Sequence, residues 1–81
     1  MNSIQEIKTK DFYQSAILKT LGLKLLRIEQ TNQKHSLFVF ADPQERVQEI
    51  LEQYWNREIM VNARDLTDSI RDLKTRLYQN E

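Results

Sequence analysis

The stretch Leu23-Lys24-Leu25-Leu26-Arg27-Ile28-Glu29 and the stretch Ser36-Leu37-Phe38-Val39-Phe40 decide the fold of this chain. Both are short and rich in branched and aromatic side chains, which favour β-strands. The six residues between them, 30–35, are polar and typical of a turn. The two stretches therefore predict a β-hairpin.

The register of this hairpin is left open by the pattern. A two-residue turn sets Ile28 opposite Leu37, an odd-length loop sets it opposite Phe38, and Leu26 shifts in the same way. Both faces of the hairpin carry apolar residues in either case. Each face is therefore expected to pack against helices or against another chain.

A helix is predicted before the hairpin, over residues 9–21, because its apolar positions recur at helical spacing. Thr9 is the expected N-cap, and Asp11 places a negative charge in the first turn. Gly22 is the only glycine of the chain. It suits the left-handed position after a helix, with Leu23 returning to Leu18 as in a Schellman motif.

Two more helices are predicted after the hairpin. Asp42-Pro43-Gln44-Glu45 combines an N-cap, a proline at the first helical position and an acid at N3, and the helix is expected to end near Trp55. Asn62 and Asp65 form a second capping box, before a helix that ends near Tyr78. The expected buried stripes are Val47, Ile50, Leu51 and Tyr54 in one helix and Leu66, Ile70, Leu73 and Leu77 in the other.

The resulting order is helix, strand, strand, helix, helix in one α+β domain over residues 1–81, with the hairpin packed against helices. Residues 1–8 are mostly polar and are expected to form a flexible N-terminal arm. Residues 57–61 are either a loop or a short third strand.

Composition excludes several classes of function. The 81 residues contain 12 basic and 12 acidic residues, no cysteine and one histidine. No disulfide, thiolate nucleophile or His-rich metal site is expected, and one glycine cannot build a Walker or dinucleotide loop. The longest apolar run, Leu37–Phe40, is too short for a membrane. We expect a cytoplasmic protein that is not an enzyme, with no cofactor, metal, membrane or small-molecule substrate.

Five motifs carry a resemblance that covers nearly the whole chain: Lys8-Thr9-x-Asp11-x-Tyr13, Leu21-Gly22-Leu23-Lys24-Leu25-Leu26-x-Ile28-Glu29, Phe38-Val39-Phe40, Tyr54-Trp55-Asn56 and Leu73-Lys74-x-Arg76-x-Tyr78. The chain resembles a family of small bacterial and phage proteins that is catalogued only as a domain of unknown function. The resemblance implies a prokaryotic setting, often a phage or mobile element, and a helix–hairpin–helix layout. It carries no activity, and the missing glycine in the hairpin turn puts the turn type in doubt.

The charges are unevenly distributed along the chain. Residues 1–40 hold six basic and three acidic residues, and residues 41–81 hold six basic and nine acidic residues. The first half, at +3, could contact phosphates of nucleic acid or a nucleoprotein. The expected contacts are Lys8, Lys10, Lys19, Lys24, Arg27 and Lys34.

The alternative function is a protein-interaction module, working as a homodimeric adaptor or inhibitor. Tyr54, Trp55 and Arg57 are residue types that dominate binding hot spots. The hairpin edge is a second possible contact surface, and a dimer would cover any apolar hairpin face that the helices leave open.

Overall fold

The computed structural model describes residues 5–31 and 35–79. Within these ranges it shows β1 (Glu6–Thr9), α1 (Phe12–Thr20), β2 (Lys24–Gln30), β3 (Ser36–Ala41), α2 (Val47–Trp55) and α3 (Ala63–Gln79). The strands form one antiparallel sheet in the order β1-β3-β2. The α+β class is confirmed, and the sheet has one strand more than the sequence predicted.

The extra strand, β1, corrects the expectation of a flexible arm over residues 1–8. Ile7 lies opposite Phe40 and Lys8 opposite Val39, and the Asp42 amide donates a 2.7 Å hydrogen bond to the Gln5 carbonyl. A four-residue strand with one apolar side chain gives almost no periodic signal. Residues 1–4 lie outside the described part of the chain.

Ile28 lies opposite Phe38, which is the register predicted for a loop of odd length. A β-bulge at Leu26 shifts this register toward the start of β2. Leu25 lies opposite Phe40 and Arg27 opposite Val39, so Leu26 is the extra residue. Without the bulge, strict alternation would send Leu25 and Ile28 to opposite faces of the sheet. The bulge therefore turns both apolar side chains toward the same face.

Helix α1 begins two residues later than predicted. Thr9 belongs to β1, and Asp11 is the N-cap, whose carboxylate accepts from the Tyr13 amide at 2.9 Å and the Gln14 amide at 3.0 Å. The predicted end is confirmed. Gly22 has φ 98°, and the Leu23 amide donates to the Leu18 carbonyl at 3.1 Å, as a Schellman motif requires.

Asp42 caps the second helix, but from further away than the sequence predicted. The helix is preceded by a turn over residues 42–45, in which the Glu45 amide donates a hydrogen bond to the Asp42 carbonyl. Glu45 has φ 54°. The helix begins at Val47, where the buried Asp42 carboxylate accepts from the Arg46 amide at 2.8 Å and the Val47 amide at 3.1 Å. Glu45 is therefore not at N3, because its left-handed backbone cannot continue a helix.

The start of α3 agrees with the sequence, since the Asn62 side chain accepts from the Asp65 amide at 3.0 Å. Residues 57–61 are not a strand. Leu73 is completely buried. It belongs to a single core between the helices and one sheet face, formed by Ala16, Ile17, Leu18, Leu23, Leu25, Phe38, Phe40, Val47, Ile50 and Leu73.

Among the described residues, no helix is both long enough and apolar enough to cross a membrane.

Candidate functional site

The sheet face opposite the helices carries a network of four charged side chains, Glu6, Lys8, Arg27 and Glu29, which we call the sheet-face network. Arg27 reaches both oxygens of Glu6, at 2.9 and 3.2 Å, and its Nε donates to Glu29 at 2.8 Å. The other Glu29 oxygen lies 3.3 Å from the Lys8 ammonium. The two outer strands, β1 and β2, are therefore linked across the central strand, with Arg27 bridging the two acids.

The network lies over the middle of the sheet. Lys8 and Arg27 are both paired with Val39 of the central strand, and directly opposite residues share a face. Val39 is completely buried. The long aliphatic parts of these charged side chains can cover an apolar residue while their charges stay in water. This second hairpin face is thus closed by charged residues of the same chain.

The two acids of the network are held in their charged form. Hydrogen bonding to Arg27, above all, lowers the pKa of Glu6 and of Glu29, and Lys8 adds to the effect on Glu29. The same bonds raise the pKa of Arg27. Two basic and two acidic side chains balance, so this face has no net charge from the network.

Six basic residues are predicted to contact nucleic acid, and the five of them that the structure describes do not come together as one patch. Lys8 and Arg27 lie within the network, and Lys19 pairs with Asp72 of α3 at 3.2 Å. Lys24 lies on β2 opposite Ala41, whereas Lys10 follows Thr9, which pairs with Phe38 at the other end of β3. Lys34 lies outside the described residues.

Lys24 instead shares a cavity with Arg46, a residue that the sequence did not single out. The cavity has a volume of about 340 Å³ and lies where the end of α1, the start of β2 and the turn before α2 meet. Gly22, Pro43 and Gln44 also line it. Arg46 gives no periodic signal, because it precedes the helix and its position depends on the turn at 42–45.

Tyr54, Trp55 and Arg57, the predicted protein-interaction residues, lie at the end of α2. The two rings meet edge to face, with centroids 5.3 Å apart. Tyr54 packs partly against the core, whereas Trp55 is 67% exposed. Arg57 has φ 63°, and its amide donates to the Tyr54 carbonyl at 3.1 Å, which fixes the end of the helix.

An apolar groove lies between α2 and the segment that leaves it. Leu21, Ile50, Ile59 and Met60 supply its apolar side chains, and its volume is about 340 Å³. Met60 is 85% exposed. The sequence did not identify Met60 as a surface residue, because Ile59 and Val61 on either side give the segment the look of a strand. We call Trp55, Arg57, Met60 and this groove the connection surface; Met60 lines the groove, whereas Trp55 and Arg57 lie outside its lining.

The sequence model of one protein family matches residues 4–79. The chain belongs to this family, described as Domain of unknown function (DUF5659). The match confirms the resemblance to a domain of unknown function over nearly the whole chain, and it does not bear on a bacterial or phage origin. No curated protein and no solved structure matches the chain.

For this DUF5659 protein, the family therefore supplies no functional residue, and function must be argued from the site itself. Two features stand out in the described part of the chain: the connection surface, and the cavity between Lys24 and Arg46. In the basic first half, in contrast, Lys8, Lys19 and Arg27 lie against acids, whereas Lys10 and Lys24 form no ion pair with a described residue.

Proposed function

We propose that this DUF5659 protein is a non-enzymatic binding protein whose partner is another protein, contacted at the connection surface. The observation that carries the proposal is the exposure of Met60, at 85%, beside an apolar groove, with Trp55 exposed at 67% five residues earlier. Large apolar side chains are usually withdrawn from water in a small domain, and exposed ones beside a groove mark interaction sites.

The residue types on this surface match those of binding hot spots. Trp, Tyr and Arg dominate such sites, because they bury a large area and keep a polar end for hydrogen bonding. Met adapts its shape to different partners. The Schellman arrangement at Arg57, with the Glu58 amide 2.8 Å from the Gln53 carbonyl, holds the backbone of this segment in place. A fixed backbone lowers the entropy lost on binding.

The groove indicates the chemistry of the partner. Its apolar lining and volume of about 340 Å³ suit one aliphatic or aromatic side chain of a peptide segment. Two acids, Glu49 and Glu58, and one base, Arg46, also line it, and the excess of one acid favours a segment with a basic residue next to its apolar anchor. The proposed partner is therefore a peptide segment with an apolar anchor flanked by a basic residue.

Nucleic acid is the competing partner, proposed from the basic first half of the chain. The contacts of its basic residues favour the protein partner instead. Lys8, Lys19 and Arg27 already lie against acids, so an approaching phosphate would compete with a carboxylate for each of them.

The setting we propose is the cytoplasm of a prokaryotic cell, including cells that carry a phage or another mobile element. The resemblance described above supports this setting, and no contact in the chain bears on it.

The test is selection from a random-peptide display library, followed by anisotropy measurements on labelled synthetic copies of the selected peptides. We expect the selected peptides to share an apolar residue beside a basic one. Met60→Ser and Trp55→Ala should each weaken their binding by about tenfold, because each removes an anchor worth about 1.4 kcal/mol.

Tyr78→Ala is the matched control, because Tyr78 is also exposed, at 70%, but lies at the end of α3. It should leave the affinity unchanged. Selected peptides that bind all four proteins equally, or a library that yields none, would overturn the proposal. Salt-sensitive retention on heparin, unaffected by Met60→Ser, would assign the function to nucleic-acid binding instead.

A further inference from the structure

The cavity lined by Gly22, Lys24, Pro43, Gln44 and Arg46 contains an excess of positive charge. Six basic residues of the described chain take part in ion pairs: Lys8, Lys19, Arg27, Arg64, Arg71 and Arg76. Lys24 and Arg46 are not among them, and they line the same cavity. Two cations that share one cavity, and that form no ion pair with a described residue, repel each other.

The one acid in the wall of the cavity does not balance them. Asp42 is 3% exposed, and its two carboxylate oxygens accept hydrogen bonds from the Arg46 and Val47 amides. These bonds direct its charge toward the start of α2, where the helix dipole favours an anion. With Asp42 included, the wall still carries a net charge of +1.

Arg46 is held at the rim of the cavity by the end of α1. One of its terminal nitrogens, Nη2, donates to the Leu21 carbonyl at 3.4 Å. A guanidinium has five N–H groups in a fixed fork, so Nε and Nη1 keep donors for another acceptor. Gly22, which also lines the cavity, leaves free space around it, because a Cβ placed there would meet nothing within 4 Å.

We propose that this cavity binds the oxyanion group of a small ligand, a phosphate or a carboxylate, between Lys24 and Arg46. Arg46 supplies directional hydrogen bonds and Lys24 a point charge, a combination that proteins use for such anions. The volume of about 340 Å³ exceeds that of a bare anion and leaves room for the organic part of a small metabolite. Arg46 also lines the groove of the connection surface, but the anion proposal does not depend on the proposed protein partner.

The test uses the single glycine of the chain as a reporter. Gly22 lines the cavity, and its amide is the only glycine signal in a ¹⁵N–¹H correlation spectrum. Inorganic phosphate and acetate are titrated separately into the labelled protein, at constant ionic strength maintained with chloride. We expect a saturable shift of the Gly22 signal, and the anion that saturates at lower concentration identifies the class of oxyanion.

Lys24→Gln and Arg46→Gln should each weaken the binding by about tenfold, because each removes one charge-assisted contact. Lys74→Gln is the matched control, since it removes an exposed lysine of α3 that does not line the cavity. Lys24→Gln is measured as well as Arg46→Gln because Arg46 directly precedes α2, and its substitution could also change the structure at the start of that helix. Lys24 lies on β2, so weaker binding by Lys24→Gln cannot come from such a change. A shift that rises linearly without saturating, or that persists in both cavity variants, means an adventitious ion only and overturns the proposal.

Discussion

At the scale of single residues, two helices end in left-handed backbone with different side chains. Gly22 after α1 has φ 98°, and Arg57 after α2 has φ 63°. Both amides bond back into their helix in the same pattern. Glycine adopts this conformation without strain, whereas a residue with a Cβ does not. Equivalent positions are thus filled once with a favourable residue and once with an unfavourable one.

We therefore expect opposite effects from two substitutions. Gly22→Ala should lower the free energy of unfolding by about 1 kcal/mol, and Arg57→Gly should raise it by up to about 1 kcal/mol. A Cβ at position 22 would meet no atom within 4 Å. The destabilisation by Gly22→Ala therefore comes from the left-handed backbone conformation alone. Urea denaturation measures both. Equal destabilisation by the two variants would contradict the left-handed assignment at Arg57.

Leu73 provides a test of the core at the same scale. Its side chain is completely buried between α3 and the rest of the core. Leu73→Ala should lower the free energy of unfolding by about 2–5 kcal/mol, because it leaves a cavity as well as losing buried area. Thermal denaturation provides the measurement, with Tyr78→Ala as the exposed control. Melting of Leu73→Ala within a degree of the parent would show that α3 is placed wrongly.

At the scale of the elements, the sheet-face network joins β1 and β2 across the central strand through Arg27. Folding lowers the pKa of Glu6 and Glu29, chiefly through their hydrogen bonds to Arg27. A carboxylate of this kind stabilises the folded state above its unfolded pKa, near 4.5, and the stabilisation is lost as pH falls through the lower folded value. These side chains are exposed, so the effect is small.

The urea midpoint of the parent should therefore fall below about pH 4.5 more steeply than that of Arg27→Gln. Arg64→Gln, which removes an exposed ion pair within α3, should keep the parent's pH dependence. The midpoints are measured from pH 7 down to pH 3. Parallel curves for the parent and Arg27→Gln would contradict a stabilising role for the network.

The sequence was informative about elements wherever one residue type had a specific local role. Gly22, Asn62 and the two hairpin strands were identified correctly, because a left-handed cap, a helix N-cap and dense β-branched residues each leave a local signal. Strand β1 and the bulge at Leu26 were missed, because both depend on pairing with β3 far along the chain.

The candidate sites were less predictable than the fold for the same reason. The sequence sums the charges of residues 1–40, but it does not show that Arg27 meets Glu6 across the central strand β3. Nor does it show that Lys24 and Arg46 line one cavity. Trp55 was identified from its residue type alone. Met60 and the groove beside it depend on how the segment after α2 lies against the helix.

At the scale of the whole molecule, the sequence argument for a dimer rested on apolar hairpin faces left without a cover. The helices cover one face, and the sheet-face network covers Val39 on the other. The oligomeric state stays a prediction, and with both faces covered we now expect a monomer. Sedimentation over a hundredfold dilution series should give a constant mass near 9.8 kDa; a mass that doubles at high concentration would restore the dimer.

The position of β1 at the edge of the sheet also sets an order of assembly. The β2–β3 hairpin closes a short loop, whereas β1 joins β3 across about thirty residues of chain, and long loops close more slowly. The hairpin therefore forms first. The backbone hydrogen-bonding groups on the β1 side of β3 stay unpaired until β1 binds there. A β1 strand from a neighbouring molecule offers the same backbone hydrogen bonds and the same Glu6 for Arg27. Strand exchange between molecules is thus the misfolding route that this topology favours during refolding at high protein concentration.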